Sequence, residues 1–241
     1  ITTAQISALT TAQVSALTED QAVSLSEDQV AALKTAQVAA LSTANLAAMS
    51  EDQVAALTTA QVTALTTAQI VALTEDQVAA MGTAQLAALT TAQLAKMETD
   101  DIAAITTDQI TALKTAQMEA LTTAQVVALS EDQVATLTTA QLAALTTAQL
   151  AKMETDDIAA ITTAQITALT TAQIAALTTA QAVAISEDQV AVLKTAQLAA
   201  LTTANFVEMS TDQLAAITTA QISALTTAQV SALTEDQAVS L

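Results

Sequence analysis

A chain of 241 residues with 24 acids against five lysines carries a net charge of −19, a sign opposite to the basic footprint of a nucleic-acid binder and unfavourable for adsorption to anionic membranes. No Cys, His, Trp, Tyr or Pro occurs, so disulfides and histidine- or thiol-based catalysis drop out. Half of the residues are hydrophobic, yet they come in runs of about four, too short to cross a membrane.

From Thr2 to Leu241 the chain is thirty octapeptides without a gap. The first, Thr2-Thr3-Ala4-Gln5-Ile6-Ser7-Ala8-Leu9, defines positions one to eight. Position one is Thr or Ser in 24 of the 30; the exceptions are Lys34, Gly82, Glu98, Lys114, Glu154 and Lys194. Position four is Gln in 26, replaced by Asn45, Asp101, Asp157 and Asn205. Positions five and eight are apolar throughout, with Ala22, Ala182 and Ala238 the smallest occupants of position five.

Thr or Ser followed three residues later by Gln is the capping-box pattern. The hydroxyl accepts from the amide three residues on, and the Gln side chain returns to the cap amide. The tail of each octad, such as Val30-Ala31-Ala32-Leu33, tolerates a helix. Each octad therefore reads as one short helix, restarted every eight residues. A single long helix fits poorly: eight residues overshoot two turns by about 80°, so no apolar stripe would persist. A strand would send positions five and eight to opposite faces, and tight β-turn residues are scarce. The predicted fold is all-α, a solenoid of short capped helices, with a β-solenoid as the alternative. A seven-residue helix is unstable alone, so neighbours must bury its apolar pair.

Along the chain, acids enter positions two and three at Glu27-Asp28, Glu51-Asp52 and Glu75-Asp76, in every third octad. They fall in first helical turns, where the helix dipole favours them. This recurrence predicts three octads per turn. Met49, Met81, Met97, Met153 and Met209 at position eight, and Met118 at position five, read as core filler. Val23, Val71, Val127, Val183 and Val207 at position six suggest a half-buried site facing a neighbouring layer, with Glu119 at an edge. Residues 217–241 repeat residues 1–25 identically, an offset of twenty-seven octads. The chain is expected to be a single uninterrupted array over 1–241, excerpted from a longer chain in which that offset is a super-repeat.

Two segments gather oxygen ligands: Glu98, Asp100 and Asp101, and again Glu154, Asp156 and Asp157. They are the candidates for Ca²⁺, although one octad cannot supply the six to eight ligands the ion takes. The competing reading is first-turn helix acids near Lys96 and Lys152. Nothing brings a nucleophile, base and orienting group together; no enzyme and no further cofactor are expected. Adjacent Thr at positions one and two could present a ladder to ice or glycans, but the first hydroxyl is committed to capping.

Leu121-Thr122-Thr123-Ala124-Gln125-Val126-Val127-Ala128-Leu129 resembles the first helix of TAL-effector repeats. The second helix, the base-reading pair and the basic charge of that family are absent here. The whole array resembles, in composition, the octapeptide tracts of very large bacterial surface, adhesin-like or filament-forming proteins. That resemblance implies an extracellular or cell-surface filament or stalk built by end-to-end or lateral self-association. An adhesin-type module holding a glycan, ice or calcium is the alternative it leaves.

Overall fold

The computed structural model describes all residues, 1–241, as thirty helices of four to six residues, one per octad, with no strand. The all-α reading stands, with helices a little shorter than the octad tail suggests.

The chain forms two compact units, Ile1–Leu121 and Thr122–Leu241. In the first, every helix packs on the third helix before it and the third after it. Thr3–Ala8, Glu27–Ala31, Glu51–Ala55, Glu75–Ala80 and Thr99–Ala104 stack as one column. Thr11–Ser15, Thr35–Val38, Thr59–Ala64, Thr83–Ala88 and Thr107–Ala112 make the second. Glu19–Val23, Thr43–Ala48, Thr67–Val71, Thr91–Leu94 and Thr115–Ala120 make the third. The second unit repeats the plan. Its columns begin with Thr123–Val127, Glu131–Thr136 and Thr139–Ala144, each followed by every third helix. Each unit is thus a helical-repeat solenoid with three octads to the turn, as the acid spacing predicts.

The local chemistry that starts each helix is the expected box. In the helix Thr59–Ala64, the Gln61 amide donates to Thr58 Oγ1 at 3.3 Å, and the Thr58 amide donates to Gln61 Oε1 at 2.6 Å. Position eight then ends the helix in an extended conformation; Leu65 has φ −58° and ψ 137°, and its amide still donates to the Val62 carbonyl. The next cap, Thr66, is also extended, at φ −71° and ψ 157°. Two ordinary extended residues therefore turn each corner. No residue in the chain has positive φ, so the left-handed glycine that usually closes a helix is not required here. This is why a protein with twenty-nine corners between its helices manages with Gly82 alone, itself at φ −71°.

Through most of the chain, positions five and eight line the centre of the triangle. Val62, Ile70, Leu86 and Leu142 at position five are wholly buried, as are Phe206 and Met118. Leu65, Leu89 and the five methionines at position eight keep only a few per cent of their surface. The methionines are core filler, as read. Position six is not the half-buried site expected of it. Val23, Val71, Val127 and Val183 are exposed and only Val207 is intermediate. The physical reason lies in the helix geometry: position five and position six point about 100° apart, so only one can face the axis. In octads with Ala22 or Ala182 at position five, the alanine keeps the inward place and the following valine stays outside.

Candidate functional site

The most constrained polar side chains are the position-four glutamines. From Gln37 onward the glutamines at this position are buried, each keeping at most a few per cent of its surface. Their Oε1 atoms serve the caps; their Nε2 atoms serve a second task. Gln61 Nε2 donates to the Val30 carbonyl at 2.8 Å and to the Leu33 carbonyl at 2.7 Å, with Ala31 at 3.2 Å. Gln93 repeats this with Val62 at 2.9 Å and Leu65 at 2.8 Å, and Gln197 with Ile166 and Leu169, both at 2.8 Å. The acceptors include carbonyls that a helix leaves without an internal partner at its carboxyl end. They belong to the octad four earlier, at the corner leading into the helix beneath. One amide thus caps its own helix at one atom and closes the end of another helix at the other. In the first layer, Gln13 and Gln21 lie exposed and make only the capping bonds.

Where position one is not Thr or Ser, the hydroxyl half of the box is lost and the Gln half survives. The amides of Lys34, Gly82, Lys114 and Lys194 still donate to Gln37, Gln85, Gln117 and Gln197, at 2.6 to 2.8 Å. The freed backbone amide of each of these glutamines turns to the carbonyl of its own cap residue, at 2.9 Å.

The exceptions at position four are graded by chemistry. Asn45 and Asn205, one methylene shorter, reach only the position-eight carbonyl, Leu17 at 2.9 Å and Leu177 at 2.7 Å. Asp101 and Asp157 are also buried. Each accepts from the cap amide, Glu98 at 3.1 Å and Glu154 at 3.2 Å. Burial pushes each carboxyl up to about 6, against the opposing hydrogen bond from the cap amide. Neighbouring acids push the same way: Glu98, Glu75 and Asp100 around Asp101, and Glu154, Glu131 and Asp156 around Asp157.

The calcium candidates therefore separate by environment. Glu98 and Glu154 stand at the cap positions, Asp100 and Asp156 are exposed on first turns, and Asp101 and Asp157 face inward. No three acidic side chains form a group placed to hold a metal ion. In the first unit, Glu27, Asp28, Glu51, Asp52, Glu75 and Asp76 belong to one column, so their recurrence in every third octad stacks like charge above like charge. One depression in the surface is an open corner between layers, lined by Leu17, Thr18, Glu19, Ser42 and Asn45. No helix is long and apolar enough to cross a membrane.

These features define a class: tandem-repeat helical solenoids whose layers are joined by a buried amide at one fixed position. The repeated string Ala-Leu-Thr-Thr-Ala-Gln, as in Ala64 to Gln69, spans a helix end, the extended corner and the bridging glutamine of the next helix. The family model described as ALTTAQ repeat matches residues 23–59, 54–83, 78–115, 94–131, 102–139, 150–187 and 206–241. These segments cover well over half of the chain, which belongs to the ALTTAQ repeat family. No curated protein matches it.

Sequence reasoning placed the glutamines in the capping box and stopped there. A signal for their second role was present. A capping box accepts Glu as readily as Gln, and the helix dipole would favour Glu. Glu occupies position two in seven octads and position four in none. Only an uncharged group that both accepts and donates satisfies a buried site between a cap amide and two carbonyls.

Proposed function

We propose that this protein is a structural repeat protein that builds an extracellular filament or stalk at a bacterial surface, by end-to-end or lateral association of its arrays. The observation that carries the reading is that the same polar bridge recurs rung after rung. The repeated geometry serves to join layer to layer, and the two perturbed carboxyls, Asp101 and Asp157, occupy the bridging position itself. A protein made this way transmits length and load, because a solenoid's stability is a sum of nearest-neighbour terms and grows with the number of layers. The high negative charge keeps a surface rich in Ala and Val in solution between contacts.

Electron microscopy of the native material tests the reading. Filaments or stalks labelled by an antibody to the chain, on intact cells, are the expected result. Label confined to the cell interior, or purified chain that stays monomeric across a wide concentration range and forms no fibre, would overturn it.

A further inference from the structure

Two rungs of the glutamine ladder are built differently from the rest. At positions 101 and 157 a carboxylate stands where the other buried octads carry an amide. An ionised carboxylate only accepts hydrogen bonds. The carbonyls that a position-four side chain would serve from these sites are those of Leu73 and Leu129, at position eight of the octad four earlier. Neither of them accepts a hydrogen bond. The side chain is long enough to reach them. Asn45 and Asn205 have the same length, and their Nδ2 atoms meet the equivalent carbonyls of Leu17 and Leu177 at 2.9 and 2.7 Å. A protonated carboxyl has a donor, as an amide does. Its O–H can take the place that the Nδ2 atoms of Asn45 and Asn205 hold on the carbonyl below. It does so in exchange for the cap-amide bond, which neither asparagine makes.

We propose that Asp101 and Asp157 are proton-operated rungs: open when ionised, and closed when a proton from solvent lets each donate its O–H to the Leu73 or Leu129 carbonyl. The surroundings favour the protonated form. Around Asp157 stand Glu154 and Asp156 on its own helix, Thr155–Ala160, and Glu131 and Asp132 on the helix beneath, Glu131–Thr136. The helix above, Thr179–Ala184, and the helix Thr123–Val127 that ends at the Leu129 corner carry no titratable side chain. Lys152 precedes Glu154 by two residues. Around Asp101, within its own unit, stand Glu98, Asp100, Glu75 and Asp76, with Lys96 two residues before Glu98.

The direction follows from linkage. Each folded-state carboxyl titrates at about 6, above the ordinary value of 3.8. The folded chain therefore holds a proton that the unfolded chain has released, and stability falls as pH rises through that interval. The extra stability is complete in acid, below the ordinary value, and lost above about 6. The array tightens on mild acidification, where acid usually loosens a protein.

The double variant Asp101→Asn/Asp157→Asn tests this in the intact chain, since Asn already occupies the same position twice. Its melting temperature is expected to exceed that of the unaltered protein at about pH 7.5, with the gap closing towards about pH 4. Carbon-13 titration of the intact chain should show these two carboxyls changing near pH 6 and the double variant lacking both transitions. A gap that is zero at neutral pH, or constant across the range, would overturn the proposal, as would titration of both carboxyls at the ordinary aspartate value.

Discussion

The ladder makes a sharp distinction between two substitutions that the capping box alone would treat as equal. Gln61→Glu keeps the oxygen that accepts from the Thr58 amide, but removes the donor to Val30 and Leu33 and sets a carboxylate against their carbonyls. The Val30 carbonyl keeps the Leu33 amide as a donor, so only the Leu33 carbonyl is left bare. A buried carbonyl without a donor costs about 1–3 kcal/mol at neutral pH, before any repulsion is added. Gln13→Glu loses nothing comparable, because Gln13 is exposed and makes only capping bonds to Thr10. A carboxylate there gains from the helix dipole, so its effect should lie within about 0.5 kcal/mol of zero. Urea unfolding followed by circular dichroism in the far ultraviolet measures both. The Gln61→Glu loss should also shrink as the introduced carboxyl is protonated in acid. If the two variants unfold alike at neutral pH, the interlayer bonds contribute nothing net and the reasoning fails.

Other consequences are smaller in scope. Phe206→Ala empties a wholly buried site on the axis and should cost about 3–5 kcal/mol, read as a lower denaturant midpoint. Gly82→Thr restores a missing hydroxyl cap at an ordinary φ, where a Cβ would meet only Gln85 Oε1 at 3.6 Å. It should raise stability by about 0.5–1 kcal/mol, through the cap and a less flexible unfolded chain. Val183→Ser alters a side chain that is nearly half exposed, and its effect on the same midpoint should stay under about 0.5 kcal/mol.

The helices, their starts and the core pair were legible because each rests on local chemistry: a hydroxyl, an amide three residues on, and two apolar positions. Three octads per turn was legible because Glu27, Glu51 and Glu75 recur in every third octad, and they do share a column. What escaped were relations between octads. Gln61 meets Val30 and Leu33 only once the chain has coiled, so the period contains no direct trace of the bridge. Val71 looked half-buried because a β-branched apolar residue usually is; its exposure depends on Ile70 already holding the axis. The role of Asp101 was obscured for the same reason. In sequence it is one of a cluster of exposed-looking acids, and only the layer below shows that it replaces a donor.

The bridge also explains how the array tolerates its own history. A rung needs position four of one octad to meet positions five and eight of the octad four earlier, at separations of 31 and 28 residues. One inserted or deleted residue would break that register for every rung spanning the change, which accounts for thirty octads without a single slip. A whole octad gained or lost leaves each rung intact, because the bonds depend on position within the octad and not on which column the octad joins. Lys34 and Lys114 stand ten octads apart, which is not a multiple of three. They precede Thr35–Val38 in the second column and Thr115–Ala120 in the third, and both octads still form their rungs through Gln37 and Gln117. The repeat can lengthen in steps of one octad while the side chains carried outward are redistributed around the three faces. The proton-sensitive position is carried along too, since the segment Lys96 to Asp101 recurs at Lys152 to Asp157, seven octads on. Asp157 stands in its new surroundings with the same cap amide, the same bare carbonyl below and the same acids beside it as Asp101.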